Sequence, residues 1–405
     1  MPTPAVTANR EIAPASRLEN VRYAIRDLAV LADEVARTGK KILPLNIGDP
    51  LKFDFQTPPH LVEAVARAMR DGKNGYAPSS GIAEALEAIR AEADRKGIRN
   101  VLDVFITTGV SEAVDLCLSS LLNPGESVLT PSPEYPLYSA VLAKLEVPLS
   151  PYDLDEEHGW QPDFNQIERL ITPRTRGIVI INPNNPTGAL YSRETLLRVI
   201  ELARRHNLVI FADEIYDKLV FDSKPHIPLA SLAGDVTVVT FGGLSKSYLA
   251  PGWRVGWGIV SGDAAVGRQY VEGINKLLRA RLCASHPMQY AIRPALEGPL
   301  DHLPGVNAKL RSRRNLTVKW CRETPGVSCV APEGAFYAFP RLEIPEDDLD
   351  FVKKVLREKQ VLLVHGSGFG QKPGTKHVRI VFLPDEATLS RAYAALADFM
   401  KEHYR

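Results

Sequence analysis

Cysteine pairs, histidine clusters, excess charge and long apolar runs are all scarce in this 405-residue chain. Its 4 cysteines form no CxxC pair and its 9 histidines no HxH or HExxH pattern, so we predict free thiols and no metal site. A formal net charge of +1 predicts neither a nucleic-acid nor a membrane partner. Because no apolar run approaches the length of a bilayer span and residues 1–16 lack a continuous apolar stretch, we expect a cytoplasmic protein.

Apolar strands separated by helical segments dominate the chain from Val101 to Gly258. The strands show little alternation of polar and apolar residues, which is typical of a mainly parallel sheet covered by helices on both faces. This part therefore predicts an α/β fold. We predict its strands at residues 101–109, 127–130, 177–181, 208–212 and 236–241.

The two ends of the chain differ from this pattern. Residues 1–16 are polar and rich in Pro and Ala, which predicts an irregular N-terminal arm. From residue 28 an amphipathic helix is predicted to end at Gly39. Residues 300–405 mix helices with short strands and predict a second, smaller α+β unit.

Polar side chains follow the predicted strands at the points where they end. In open α/β sheets ligands bind beyond the carboxyl ends of the strands, so we expect these side chains to meet there. The junction of Gly109 with Val110 also begins a helix, whose free N–H groups and positive dipole end suit a phosphate. The residues assigned to this edge are Ser111, Tyr135, Asn185, Asp213, Tyr216 and Lys246.

Lys246 follows a β-branched strand and the glycine pair Gly242 and Gly243. Glycine permits close backbone approaches, and a lysine held near apolar surface and other cations loses proton affinity. Such an amine is a nucleophile toward carbonyl compounds. A solvated loop lysine is the alternative that the local residues leave open.

Together these residues suit pyridoxal 5'-phosphate (PLP), a phosphorylated aromatic aldehyde. Lys246 would form a Schiff base and move the substrate Cα proton, and Asp213 would keep the ring nitrogen protonated. Asn185 and Tyr216 would donate hydrogen bonds to the ring oxygen, and Tyr135 would stack on the ring. Each residue has a structural alternative: Asp213 a helix N-cap or ion-pair member, Asn185 a turn residue, and the tyrosines half-buried aromatics.

Four motifs give the chain a resemblance to a known family: Asn182–Gly188, Asp213–Tyr216, Leu244–Lys246 with Gly252–Gly256, and Val378–Ile380. With them the chain resembles the fold type I, PLP-dependent class I/II aminotransferases of the aspartate aminotransferase superfamily over nearly its whole length. The resemblance implies a three-layer α/β/α large domain with a mainly parallel seven-stranded sheet. It also implies domain bounds: an arm at 1–16, a small α+β domain at 17–45 and 299–405, and a large PLP-binding domain at 46–298.

The resemblance also implies how the cofactor phosphate is bound. Arg254, Ser245 and the backbone of Val110 and Ser111 would hold it, because a guanidinium pairs with phosphate oxygens through two hydrogen bonds. Tyr76 is similar to the tyrosine that reaches the phosphate of the neighbouring subunit, which implies a homodimer with shared active sites.

Substrate binding is implied in the same way. Arg379 would bind the substrate α-carboxylate beside the backbone of Gly48 and the side chain of Asn185. The catalytic set would be Lys246, Asp213 and Tyr216.

One position departs from the family pattern. Many relatives carry a hydroxyl residue where this chain has Gly243, so we expect one phosphate contact to be missing or supplied by Ser245.

The stretches Ser16–Arg26 and Leu45–Pro50 are similar to a narrower group, the alanine-type aminotransferases of bacteria and archaea. The resemblance implies that Tyr23 and Arg26 shape the substrate pocket, where an arginine could meet the side-chain carboxylate of glutamate. A surface arginine paired with a nearby aspartate is the alternative. We therefore expect amino transfer between alanine and 2-oxoglutarate, giving pyruvate and glutamate by a ping-pong mechanism.

Other activities share this framework. Aminotransferases for aromatic, kynurenine-like or diaminopimelate substrates and PLP-dependent carbon-sulfur lyases remain alternatives. A regulatory PLP protein would carry a DNA-binding module; since about sixteen irregular residues precede the family region, we do not expect one.

Overall fold

The computed structural model describes residues 12–21, 28–222 and 224–404. Short 3-10 helices lie at Ser16–Asn20, Pro50–Lys52, Pro251–Trp253 and Gly366–Phe369. The strands in chain order are β1 (Leu43–Pro44), β2 (Val101–Thr108), β3 (Ser127–Ser132), β4 (Leu149–Asp155), β5 (Gln161–Pro162), β6 (Thr175–Ile181), β7 (Val209–Asp213), β8 (Val238–Gly243), β9 (Val255–Ser261), β10 (Val327–Ser328), β11 (Tyr337–Ala338), β12 (Arg341–Leu342), β13 (Val361–Leu362), β14 (Val364–His365) and β15 (Val378–Val381). The α-helices are α1 (Ala29–Arg37), α2 (Pro59–Arg70), α3 (Ala83–Arg95), α4 (Val110–Leu121), α5 (Leu137–Lys144), α6 (Phe164–Leu170), α7 (Arg193–His206), α8 (Ala230–Ala233), α9 (Ala264–Ala280), α10 (His286–Gln289), α11 (Ile292–Glu297), α12 (His302–Glu323), α13 (Asp348–Lys359) and α14 (Glu386–His403).

Eight strands form the central sheet, in the order β2-β9-β8-β7-β6-β3-β4-β5. Neighbours from β8 through β4 pair in parallel, whereas β9 is antiparallel to both β2 and β8. The predicted α/β fold with a mainly parallel sheet is confirmed. The sheet has eight strands rather than the predicted seven, because the two-residue β5 turns back beside the end of β4.

The strand pattern in the sequence did not predict β4, β5 or β9. β4 is only partly buried and contains proline and aspartate, which strands usually lack. β9 contains two glycines, and a Cβ on Gly258 would lie 2.3 Å from the Phe105 ring in β2. The residues that permit this close packing also weaken the strand pattern.

Both faces of the sheet are buried, as a three-layer arrangement requires. In β6, Ile178 and Ile180 join the apolar cluster on one face, while Val179 and Ile181 join the cluster on the other. This follows from the two-residue period of a strand, which points successive side chains to opposite faces.

A third apolar cluster draws on residues 28–55, 216–249 and 306–400. It includes residues of β11 and β15 from the small sheet β11-β15-β14, and the parallel pair of β1 with β13 joins the early segment to the C-terminal part. The domain bounds given above stay a prediction. Within the described ranges, none of the helices is long and apolar enough to cross a membrane.

Phe211 of β7 offers a test of the sheet core, because its fully buried ring stacks on that of Phe241 at 6.4 Å between centroids. We expect Phe211→Ala to lower the free energy of unfolding by about 3–5 kcal/mol, since the cavity left behind refills only partly. Urea denaturation followed by circular dichroism measures the loss. Leu197→Ala, at a side chain of α7 that is 43% exposed, is the control and should cost less than about 1 kcal/mol. Equal losses would contradict the core placement.

Candidate active site

A cavity of about 250 Å³ opens at the carboxyl ends of the parallel strands. It contains eleven residues predicted from the sequence: Gly48, Val110, Ser111, Tyr135, Asn185, Asp213, Tyr216, Ser245, Lys246, Arg254 and Arg379. Its other lining residues are Ile47, Leu137, Ile181, Ile215, Pro251 and Tyr337.

The side chain of Lys246 is half-buried, and its amine points at the backbone of Gly48, just before the 3-10 helix Pro50–Lys52. Its Nζ donates a hydrogen bond to the carbonyl oxygen of Gly48 at 2.9 Å. Removal from water lowers the pKa of this amine to about 8, and the cations Arg379 and Arg254 act in the same direction. Asp49 and Asp213 oppose them. Roughly a tenth of the amine is therefore unprotonated at pH 7, far more than for an ordinary lysine.

Asp213 ends β7 as a buried carboxylate. The hydroxyl of Tyr138 donates to its Oδ2 at 3.1 Å, and the N–H of Ile215 donates to its Oδ1 at 3.4 Å. Burial raises the pKa of Asp213 to about 6, against the opposing effect of the Tyr138 hydrogen bond. At neutral pH the cavity thus contains a mostly ionised carboxylate that suits a cationic N–H group of a ligand.

An anion-binding corner is formed where α4 begins. The Arg254 guanidinium packs directly over Gly109, since a Cβ there would lie 2.4 Å from Nη2, and the positive φ of +74° also favours glycine. The first turn of α4 leaves the N–H groups of Val110 and Ser111 without helical partners. With Ser245 in the same wall, this corner offers backbone donors, a hydroxyl and a guanidinium to an anion.

Arg379 of β15 provides a second, buried cation, with 1% of its surface exposed. Its Nη2 donates to the carbonyl oxygen of Asn46 at 2.6 Å, and its Nη1 donates to Oδ1 of Asn185 at 3.2 Å. The guanidinium also lies 4.7 Å from the ring centre of Tyr337 and 4.8 Å from that of Phe369. A guanidinium held in this way can bind a carboxylate through two hydrogen bonds.

Two predicted tyrosines complete the wall. The hydroxyl of Tyr216 lies 2.9 Å from that of Tyr337, and burial raises the pKa of Tyr216 well above its usual value. Tyr216 therefore stays protonated and can donate a hydrogen bond into the cavity. Tyr135 lines the same cavity from the loop between β3 and α5.

Three predicted residues are not placed in the cavity. Among the described residues, Tyr76 lies outside the lining and is 82% exposed. Tyr23 and Arg26 lie outside the residues that the structure describes, so their proposed roles stay predictions.

Comparison with known proteins decides the family. The family model described as aminotransferase class I and II matches residues 40–396. The chain belongs to the class I and II aminotransferases.

Relatives of this aminotransferase match almost its whole length. Glutamate-pyruvate aminotransferase AlaA of Escherichia coli (strain K12) is 40% identical over 403 residues, 97% of this chain and 99% of that protein. Alanine aminotransferase of Mycobacterium tuberculosis (strain ATCC 25618 / H37Rv) is 40% identical over 402 residues, 96% and 93% of the two chains. The solved alanine aminotransferase of Pyrococcus furiosus superposes with a TM-score of 0.94, with 41% identity and coverage of 96% and 100%. The family predicted from the sequence motifs is confirmed.

Sequence reasoning missed three residues that line the cavity or act on a residue that lines it. Tyr138 binds Asp213, and its position three residues after Tyr135 at a helix start was the available signal. Asp49 acts on the charge of Lys246, and its place beside Gly48 could have suggested this. Tyr337 lies in a strand of apolar neighbours that reads as ordinary core, so its sequence carried no signal.

The departure at Gly243 has a packing explanation in the aminotransferase. A Cβ there would lie 2.8 Å from the carbonyl oxygen of Val255 and 3.2 Å from Cα of Gly256 on the neighbouring strand. A hydroxyl side chain at this position would push β8 away from β9, whereas Ser245 two residues later lines the cavity.

The raised pKa of Asp213 predicts how stability depends on pH in the absence of ligand. The folded protein keeps this proton up to about pH 6, whereas the unfolded chain releases it near the ordinary value of 3.8. Between these values the folded state binds more protons, so stability falls as pH rises. Asp213→Asn removes this effect, and relative to wild type it should gain up to about 3 kcal/mol between pH 4 and pH 7.

Urea denaturation of both proteins at pH 4 and pH 7 measures this difference. Asp71→Asn removes an exposed carboxylate and serves as the control for the loss of one negative charge. A difference between wild type and Asp213→Asn that is the same at both pH values would show that Asp213 does not carry the raised pKa.

Proposed function

We propose that this aminotransferase binds pyridoxal 5'-phosphate at Lys246 and moves the amino group between L-alanine and 2-oxoglutarate, giving pyruvate and L-glutamate by a ping-pong mechanism. The observation that carries the proposal is the amine of Lys246 in one cavity with an anion-binding corner at α4 and with the buried cation Arg379. The family relationship supports it, because class I and II aminotransferases depend on PLP.

The residues at α4 fit a phosphate group. A phosphate carries two negative charges, and the corner offers the Arg254 guanidinium, the Ser245 hydroxyl and two backbone N–H groups. Two glycines keep the shape of this corner. A Cβ on Gly109 would lie 2.4 Å from Nη2 of Arg254, and a Cβ on Gly256 would lie 2.4 Å from the Val110 nitrogen and displace the start of the helix.

The groups near Asp213 fit a pyridinium ring. An ionised, buried Asp213 stabilises a protonated ring nitrogen, and Tyr138 holds the carboxylate in place. The amide of Asn185 and the phenol of Tyr216 are the donors for the ring oxygen, and Tyr135 supplies a flat face. Bound PLP supplies the electron-withdrawing ring that makes the substrate Cα proton acidic.

Lys246 is the residue that moves this proton. Its lowered pKa, about 8, lets the neutral amine accept the proton from the substrate Cα near physiological pH. The Gly48 carbonyl, 2.9 Å from Nζ, stabilises the protonated form that results. Lys246 can therefore both accept the proton and return it.

Arg379 is assigned to the α-carboxylate that alanine, pyruvate, glutamate and 2-oxoglutarate have in common. Its contacts to Asn46 and Asn185 fix the plane of the guanidinium before the substrate arrives, which reduces the entropy cost of binding. We assign the second carboxylate of glutamate to Arg26 and assign Tyr23 to shaping the substrate pocket. The names of the relatives in Escherichia coli, Mycobacterium tuberculosis and Pyrococcus furiosus support the alanine and glutamate pair.

We also propose a cytoplasmic homodimer with shared active sites. The exposed ring of Tyr76 supports this, because a tyrosine that serves the partner's phosphate must extend from its own subunit. Neither a nucleic acid nor a membrane is assigned as a partner.

A spectrum recorded during titration with amino acids tests the cofactor and the reaction together. Purified protein with PLP should show a visible absorbance band that alanine bleaches, with pyruvate formed in equal amount and no ammonia released. Lys246→Ala should lack the band of the lysine-linked cofactor and lose activity more than about 1,000-fold, because the group that moves the proton is gone.

Lys319→Ala, at a lysine whose side chain is 66% exposed, is the matched control and should behave as wild type. Ammonia release would favour a carbon-sulfur lyase, and bleaching by tyrosine, kynurenine or diaminopimelate but not by alanine would favour the other aminotransferases. An unchanged spectrum with every donor would contradict amino transfer altogether.

Arg379→Lys tests the assignment of the substrate carboxylate. A lysine keeps the charge but loses the two-bond geometry and the contacts to Asn46 and Asn185, so kcat/KM for alanine should fall at least about 100-fold. PLP affinity should stay within about threefold, since the phosphate corner is unchanged. Arg391→Lys on the exposed face of α14 is the control. A large loss of PLP affinity with an unchanged KM for alanine would refute the assignment.

A further inference from the structure

Tyr337 contacts two residues of the cavity that were assigned different roles, Tyr216 and Arg379, although no motif in the sequence marks it. Its side chain is 3% exposed and lines the cavity with Lys246 and Arg379. Two independent contacts, one through its hydroxyl and one through its ring, indicate more than core packing.

The strand register places Tyr337 next to Arg379. In the antiparallel pair of β11 with β15, Tyr337 lies opposite Val381. Arg379 lies on β15, two residues before Val381. Residues two apart on a strand point to the same face, so both side chains are diagonal neighbours on that face. The guanidinium carbon of Arg379 lies 4.7 Å from the Tyr337 ring centre as a result.

The hydroxyl of Tyr337 contacts Tyr216. It lies 2.9 Å from the hydroxyl of Tyr216, and the two buried rings cross at 86°. Backbone shape provides the room, since a Cβ on Gly48 would lie 2.4 Å from the Tyr337 hydroxyl oxygen. The carbonyl of this same Gly48 accepts the hydrogen bond from Lys246.

We propose that Tyr337 is a positioning residue for the amino transfer, whose hydroxyl orients Tyr216 and whose ring orients Arg379. One side chain then couples the donor for the cofactor ring oxygen to the receptor for the substrate carboxylate. With Tyr337 as the donor of this hydrogen bond, Tyr216 accepts it and its own O–H is polarised, which strengthens Tyr216 as a donor to the ring oxygen. This inference rests on the proposed function.

Removal of the single oxygen separates this role from packing. Tyr337→Phe keeps the ring beside Arg379 and deletes the bond to Tyr216. Tyr393→Phe is the matched control: Tyr393 is also 3% exposed, its hydroxyl is bonded to Thr317 at 2.6 Å, and its ring stacks on Trp320 away from the cavity.

The first measurement is the pH titration of the visible absorbance of the PLP-loaded protein. In Tyr337→Phe its midpoint should rise by about 0.5 pH unit or more, because a weaker Tyr216 donor stabilises negative charge in the cavity less well. The charged groups that act on Lys246, namely Arg379, Asp49, Arg254 and Asp213, are the same in wild type, Tyr337→Phe and Tyr393→Phe. Tyr393→Phe should leave the midpoint at its wild-type value.

The second measurement separates the ring from the hydroxyl. Tyr337→Phe should lower kcat for alanine about tenfold with KM within about threefold of wild type, because the ring beside Arg379 is retained. Tyr337→Leu removes the ring as well, and KM for alanine should rise at least about tenfold.

The outcomes are distinguishable. If wild type shows no visible band or no bleaching by alanine, the proposed function fails. If wild type behaves as proposed but Tyr337→Phe matches Tyr393→Phe in titration midpoint and kcat, Tyr337 is ordinary core and this inference alone is overturned. The result does not depend on the folding of Tyr337→Leu, since the phenylalanine variant keeps the volume of the side chain.

Discussion

The amine of Lys246 is withdrawn from water while two guanidinium groups act on it, and the rest of the cavity is arranged around that condition. Burial and the charges of Arg379 and Arg254 lower its proton affinity, whereas Asp49 and Asp213 limit the effect. A lysine in water at neutral pH has almost no free amine, so such an environment is needed for it to exchange protons with carbon acids. The hydrogen bond to Gly48 then fixes where the amine acts.

Burial of these ionisable groups lowers stability, and the surrounding structure compensates through paired charges. Behind the loop that follows Asp213, Lys96 lies 2.6 Å from Asp217 and Lys218 lies 3.0 Å from Glu92. The two lysines hold the pKa of Asp217 down at about 2 despite its burial. Since breaking one member of such a buried pair leaves an uncompensated charge, these pairs hold the loop that follows Asp213 against the C-terminal end of α3.

Two parts of the chain have to meet for the cavity to exist. The central sheet and the segments that follow its strands supply Asp213, Asn185 and the start of α4, whereas Arg379 and Tyr337 come from the small sheet near the C-terminus. Glycines permit the close approaches between them: a Cβ on Gly188 would lie 2.8 Å from the carbonyl oxygen of Tyr337, and one on Gly334 would lie 2.7 Å from the Pro183 ring. The contact between these two distant parts of the chain therefore depends on glycine at positions 188 and 334.

The sequence by itself determined the residues at the strand ends and hence most of the cavity, because parallel strands must bring their carboxyl ends to one edge. It also determined local features such as the start of α7, where the Ser192 side chain accepts a hydrogen bond from the N–H of Thr195, as serine commonly does before the first turn of a helix. Only the tertiary structure decided the antiparallel course of β9, the packing constraint at Gly243, and the partners of Asp213 and Tyr216. Tyr138 was marked only by its position three residues after Tyr135. Tyr337 acquires its role from contact with Tyr216, and a hydrogen bond between residues so distant in the chain leaves no spacing in the sequence that could predict it.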